Sequence, residues 1–187
     1  MGRAASARAE IDFALAREKE ASALVRLLEK GQLPLRVTHN DTKLNNVMLD
    51  EVTHKGVCVI DLDTVMMTTS LNDFGDAIRS YSNTGAEDDP DLEKVSMSME
   101  IFKAYAAGYL HEQKANMSQA ELDWLAFSAR HLTFEHVLRF LMDYINGDTY
   151  YKTAYPEHNL IRCRAQHKLL QSMEEQYPQM QEIVAGC

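Results

Sequence analysis

The twelve residues Thr38–Leu49, THNDTKLNNVML, constrain this chain more than any other stretch. A polar run from Thr38 to Asn46 is entered by Leu33-Pro34-Leu35-Arg36-Val37 and left by Val47-Met48-Leu49. A chain that uses both apolar flanks as strands must hold the polar run as a loop pinned at each end. A second apolar run, Val57 to Ile60, ends on Asp61, and the polar stretch 50–56 between the two runs predicts a hairpin with Asn46 at its entry and Asp61 at its exit. Asp41, Asn46 and Asp61 are thereby directed toward one small volume.

Oxygen-only side chains suit magnesium, which takes one or two ligands from protein and the rest from phosphates and water. Asn46 and Asp61 are the candidate metal ligands. Phosphoryl transfer also needs a carboxylate that orients or accepts the proton of the attacking hydroxyl, five residues before the metal-binding Asn in the kinase template. Asp41 has that spacing and is the candidate catalytic residue. Lys43 is placed to neutralise charge on the transferred group. His39 is read as holding the loop by hydrogen bonds. Asp63 is either a partner of Asp61 on one strand face or part of a turn. The triplet Asp73-Phe74-Gly75 imitates a metal motif but closes no apolar strand, so Asp73 is expected to cap a helix or to anchor the loop backbone.

Helical periodicity organises the rest. Residues 7–30 predict one helix stopped by Gly31. Residues 68–72 read as loop, and Phe74, Ala77, Ile78 and Tyr81 mark a helix behind Asp73. Pro90 is expected to open a helix running through Tyr109, after a solvated acidic run Glu87-Asp88-Asp89. Ser118-Gln119-Ala120-Glu121 is a capping box for a long helix that stops at Gly147, in which Arg139 is a candidate partner for Asp143 one turn on. A last helix spans about 159–176 and is expected to end at Pro178.

Lys plus Arg number 19 against 28 Asp plus Glu, a net charge of −9. That balance argues against nucleic acid, whose phosphates are met by clustered cations. No run approaches the ~20 apolar residues of a membrane span. Three cysteines with no C-x-x-C pair predict neither disulfide framework nor zinc site and fit a cytoplasmic location.

At these residues the chain resembles the aminoglycoside and choline kinase superfamily, whose signature is H-x-D-x-x-x-x-N followed by a strand ending in I-D. It is most similar to the N-acetylhexosamine 1-kinase-like branch, on the stretches 37–50, 59–66, 72–79, and 139–144 running on to 147–150. The resemblance implies an α+β fold, mainly α, in which one domain over 1–187 forms the C-terminal lobe of a kinase-like phosphotransferase. A short β-hairpin region would carry the catalytic loop, with three or four strands around residues 35 to 63 and at least four helices. It implies ATP as phosphoryl donor, Mg2+ as cofactor, and Arg139 and Tyr150 as residues that hold a sugar. Aminoglycoside-type or choline-type (amino-alcohol) kinases and a non-catalytic binding relative are the alternatives. Ser80 stands where this branch commonly has an aromatic residue, and Met67-Thr68 where the family has Pro-Gly. The 40 residues before Asp41 read as helix and hold no glycine-rich strand-loop-strand, so the nucleotide-clamping N-terminal lobe is expected to be absent. The isolated chain is then expected to be inactive and to self-associate as a homodimer through apolar surface near Leu35, Val47 and Met66.

Overall fold

The structure, a computed structural model, describes residues 2–187. It is mainly helical with two small antiparallel sheets. The single helix expected over 7–30 is instead four short ones, α1 (Arg3–Ser6), α2 (Arg8–Leu15), α3 (Glu18–Ala21) and α4 (Ala23–Glu29). Its apolar residues do not share one stripe, since Leu15 is 63% exposed and Leu24 is buried. The breaks at Ala7, Arg17 and Ser22 leave helical geometry. They let the segments follow the C-terminal helices, to which Arg17 is tied by Glu174 at 2.8 Å and Glu10 by Arg164 at 2.6 Å. Gly31 at φ +66° ends the series, a conformation that favours glycine.

Strand β1 (Arg36–Thr38) leads into the polar loop. The expected hairpin forms between β2 (Val47–Leu49) and β3 (Gly56–Val59), with Val47 opposite Val59. β3 stops short of its expected end because Asp61 adopts a left-handed conformation (φ +64°) and Leu62–Thr64 close into a 3-10 turn. Asp63 therefore lies in a turn and shares no strand face with Asp61. A fourth strand, β4 (Met66–Thr68), falls beyond the expected window and pairs antiparallel with β1, Arg36 opposite Thr68. The sheets are thus two separate pairs, and Thr68 belongs to one of them, not to a loop.

Helix α5 (Ser70–Tyr81) begins three residues earlier than Asp73, with Thr69 as its N-cap accepting from the Leu71 amide. Asp73 is consequently a first-turn residue and not the cap. Gly75 packs α5 against α7 (Gln119–Asn146): a Cβ there would lie 2.5 Å from the Ser128 carbonyl oxygen. Pro90 does not open a helix. The chain makes a 3-10 turn at Leu92–Lys94, buries Val95 and Met97, and starts α6 (Met99–Gln113) at an N-cap supplied by Ser98. The capping box at Ser118 and the stop at Gly147 (φ +97°) form on α7 as its sequence predicts. Pro178 ends nothing. Helix α8 (His158–Glu175) is followed by α9 (Tyr177–Gly186), where Pro178 occupies the first turn, the position its missing N–H tolerates.

The core lies in the helical half, around Phe74, Ile78, Phe102, Leu125, Leu169 and Met173. Each such side chain contributes about 1.5–3 kcal/mol by leaving water. The strand half is different. Leu35, Val37, Met48, Leu49, Val57 and Met66 are all exposed.

Candidate active site

The polar loop between β1 and β2 is built on α5. Asp73 accepts the backbone amides of His39 at 2.9 Å and Asn40 at 2.7 Å. Asp76, one turn on, accepts the Thr42 amide at 2.8 Å, and the Thr42 hydroxyl donates to the Asp73 carbonyl at 2.7 Å. Asn40 has φ +63°, which an Asn tolerates better than most residues, and its amide donates to the Thr64 carbonyl at 3.0 Å. Thr64 donates in turn to the His39 carbonyl at 2.6 Å. His39 stitches the loop to the end of β3: its Nδ1 accepts from the Asp41 amide at 3.3 Å, which leaves the proton on Nε2 for the Ile60 carbonyl at 2.9 Å.

Within this frame Asp41, Lys43 and Asn46 meet. Asp41 Oδ2 accepts from Lys43 Nζ at 2.7 Å and from Asn46 Nδ2 at 2.9 Å. The same Asn46 nitrogen reaches the Asp41 carbonyl at 2.8 Å. Among the described residues no protein donor reaches Asp41 Oδ1, and Asn46, which is buried, spends its nitrogen on Asp41 and keeps its oxygen free. Partial burial opposes the Asp41 charge, but the hydrogen bonds from Lys43 and Asn46 outweigh it and hold the carboxyl below its ordinary range. The bond to Asp41 raises Lys43 correspondingly.

Asp61 is solvent-exposed at the exit of the hairpin. The Asp63 side chain and its charge raise the Asp61 carboxyl, and it also feels the charges of Lys43 and Asp41. Two carboxyls so close favour a bound proton or cation. Among the described residues no group of three or more His, Cys, Asp or Glu side chains is arranged to hold a metal. Asn46, Asp61 and Asp63 offer oxygen donors only, the ligand type that suits a magnesium ion keeping water and phosphate ligands.

A cleft of about 510 Å³ opens in front of Asp41 and Lys43, walled by Met66, Arg139, Tyr150 and Tyr151 among others. Arg139 and Tyr150 therefore face the same space as Asp41. Arg139 does not pair with Asp143. It lies 3.9 Å from Glu135 and 6.0 Å from the centroid of the Tyr150 ring. Asp143 instead organises the segment after α7, accepting the amides of Thr149, Tyr150 and Tyr151 at 2.9, 2.9 and 3.0 Å. Burial pushes the Glu135 carboxyl up and the His136 imidazole down to about 4, so His136 is neutral at pH 7.

Sequence reasoning missed Asp76, Arg79 and Glu87. Arg79, nearly buried, bonds Asp76 at 2.9 Å and Glu87 at 3.0 Å. Glu87 and Asp88 stay largely solvated but open no helix, and each is paired, Glu87 with Arg79 and Asp88 with His158, from which it accepts at 2.8 Å. The signal available was the spacing Asp73-x-x-Asp76-x-x-Arg79, which sets three charges at successive helical turns of α5.

The family model described as APH, phosphotransferase enzyme family, matches residues 2–117. That span contains the loop, the hairpin and α5, and ends before Arg139 and Tyr150.

Proposed function

The chain belongs to the phosphotransferase enzyme family, and on that premise we propose that it forms the acceptor and metal side of an ATP-dependent small-molecule kinase acting on a sugar, of N-acetylhexosamine type. The observation that carries this is the division of labour on Asp41. One oxygen is bound by Lys43 and Asn46, which fixes the carboxylate and keeps it ionised, while the other has no protein donor among the described residues, and Asp41 lines a cleft large enough for a small molecule. A substrate hydroxyl donating to Oδ1 is aimed outward along its oxygen lone pair. Because the transferring phosphoryl group is loosely bonded at its transition state, positioning matters more than basicity, and a weakly basic carboxylate suffices. Lys43 has two further N–H bonds with which to meet negative charge on the phosphoryl oxygens.

Asn46 and Asp61, with Asp63 beside Asp61, are the residues that would hold Mg2+. When bound, the ion neutralises charge on the nucleotide phosphates. Elements that clamp the adenine side have no counterpart between α1 and β1, where the chain is four short helices and no glycine-rich loop. On this reading the described residues correspond to a kinase-like C-terminal lobe.

The charged side chains of the cleft are engaged with one another, which leaves a neutral acceptor to be held by hydrogen bonds. Lys43, Arg79 and Arg139 face Asp41, Asp76, Glu87 and Glu135 in the cleft, and each carboxylate has a cation against it. Arg139 beneath the Tyr150 ring offers donors to sugar hydroxyls or an acetamido carbonyl beside an apolar face for the ring. Isothermal titration with N-acetylglucosamine, choline and an aminoglycoside separates the readings. The sugar binds, and Arg139→Ala removes that binding; tight binding of either cation with none of the sugar would sink the sugar reading.

A further inference from the structure

His136 on α7 lines the acceptor cleft together with Arg139, three residues on, so the two side chains are neighbours on the helix surface. The ring is fixed from both directions along the helix. Its Nδ1 lies 2.9 Å from the Leu132 carbonyl oxygen, and its centroid is 6.2 Å from that of the buried Phe140 ring, at a 59° tilt. A carbonyl oxygen only accepts, so Nδ1 carries the proton, and Nε2 of the neutral ring is left with a bare lone pair. Nε2 has no protein partner among the described residues and, unlike His167 Nε2, it is not sealed from solvent.

The surroundings keep this nitrogen an acceptor. Burial disfavours the imidazolium, the charges of Arg79 and Arg139 add to that, and the Leu132 carbonyl and Asp76 oppose it without restoring the charge at pH 7. Glu135, the adjacent residue on α7, lies 3.9 Å from Arg139. The guanidinium of Arg139 offers donors and no acceptor, whereas the imidazole offers an acceptor and no free donor. Side by side they complement a ligand that both accepts and donates, as hydroxyl groups do. An ammonium group brought to Nε2 would enter the field of Arg79 and Arg139, and a fully ionised phosphate has no proton to give. An alcohol with a single hydroxyl, which Asp41 needs, has nothing left for Nε2.

We propose that His136 is a recognition residue of the acceptor site, whose Nε2 accepts a hydrogen bond from a non-reacting hydroxyl of the sugar beside the donors of Arg139. The proposal rests on the sugar-acceptor reading and deepens it, because the acceptor must then carry at least a second hydroxyl. The ring is already held by Leu132 and Phe140, so little ordering is needed when the sugar arrives.

The test is an NMR titration at pH 7 of the 187-residue chain carrying nitrogen-labelled histidine, with N-acetylglucosamine as the probe. The ring nitrogens of His136 and the backbone amides of Asp41 and Thr42 are followed together. In the free chain Nδ1 is protonated and Nε2 bare; a protonated Nε2 overturns the premise. The sugar moves the Asp41 and Thr42 amides and shifts Nε2 toward the hydrogen-bonded range without protonating it. Movement of the two amides with Nε2 unchanged overturns the role of His136 and leaves the sugar reading standing, whereas a sugar that moves neither overturns both. His136→Phe weakens N-acetylglucosamine roughly tenfold, and His136→Gln, whose carbonyl oxygen accepts from a similar place, recovers most of the loss. One of the singly deoxygenated analogues of the sugar, the one lacking the bonded hydroxyl, binds the original chain and the Phe variant equally. A Phe variant that weakens every analogue to the same extent assigns His136 a structural role and overturns the proposal.

Discussion

Glu121 ties the strand half of the molecule to the helical half, and its removal has a cost that can be worked out in advance. Its side chain is fully buried at the N-terminus of α7. Oε1 accepts from Arg36 on β1 and from Ser70 on α5, both at 2.6 Å; Oε2 accepts from Arg36 at 2.8 Å and from the Ser118 amide at 2.8 Å. Burial alone would raise this carboxyl, but the bonds from Arg36, Ser70 and Ser118 outweigh it and hold it at about 2 against an ordinary 4.5. That gap, at about 1.36 kcal/mol per pH unit, makes ionised Glu121 worth about 3 kcal/mol to the folded chain. The folded carboxyl is the more acidic one. The stability is therefore fully present above about pH 4.5 and is lost as pH falls toward about 2, with about 1.4 kcal/mol left at pH 3. Glu121→Gln keeps the shape and one acceptor but turns an amide nitrogen toward Arg36. Urea unfolding of both proteins at pH 7, 5 and 3 should show a deficit of about 3 kcal/mol at pH 7, shrinking to about half at pH 3, with a thermal midpoint lowered by roughly 6–12 °C at neutral pH. A deficit that did not change between pH 7 and pH 3, or one near zero at pH 7, would refute the assignment of this stability to the ionised carboxyl.

Asp73→Ala removes the acceptor of two backbone amides and should cost about 3 kcal/mol or more, with hydrogen-exchange protection lost at His39 and Asn40; Asp73→Asn, which keeps one acceptor oxygen, should recover about half. Full protection at both amides in the Ala variant would show that the loop is held elsewhere. Titration with Mg2+ should perturb Asn46, Asp61 and Asp63 and spare Asp73, and the reverse pattern would exchange the roles of Asp61 and Asp73. In an enzyme with its nucleotide site complete, Asp41→Asn should lower turnover about 100-fold or more with nucleotide affinity unchanged, and an unchanged rate would remove Asp41 from the mechanism. Light scattering of residues 1–187 should show mass rising with concentration as Leu35, Val37 and Met66 find cover, alongside no ADP release in a coupled assay with N-acetylglucosamine. A strict monomer that turns over would contradict both parts.

What the sequence made legible was local. The hairpin around residues 50–56 follows from a polar turn between two apolar runs, and the α7 capping box follows from Ser118 and Glu121, because each pattern is decided within a few residues. The misses are places where distant partners decide. The split of residues 3–29 into four helices answers to Glu174 and Arg164, far along the chain. β4 forms because β1 lies beside it, and three-residue strands carry too little pattern to announce themselves. Pro90 lies in a loop and Pro178 in the first turn of a helix, because whether a proline opens a helix, follows one or belongs to neither depends on where the neighbouring helix begins. In the site, the residue types and spacing of Asp41, Lys43 and Asn46 announce their grouping, whereas the pairing of Arg79 with Glu87 depends on the path of the loop after α5, which periodicity does not reveal.

The loop bearing Asp41 sits in the half of the molecule with the least apolar burial, so packing cannot be what holds its geometry. Its rigidity comes from carboxylates under backbone amides: Asp73 beneath His39 and Asn40, Asp76 beneath Thr42, with Thr64 and Ile60 closing the far side. Hydrogen bonds to ionised acceptors are roughly twice as strong as neutral ones and are directional, which suits a loop that must present one carboxylate oxygen while keeping the other engaged. Arg79 completes this logic, because it holds Asp76 in place from behind and passes the restraint to Glu87 across the cleft. Replacing Arg79 with Met would leave Asp76 charged, buried and without its cation, a loss of about 3–5 kcal/mol. The damage should appear first as exchange broadening at Thr42 and Asp41, before the helical core around Phe74 yields. If the variant instead unfolded as one unit with those amides sharp up to the transition, the loop would owe its order to the core after all.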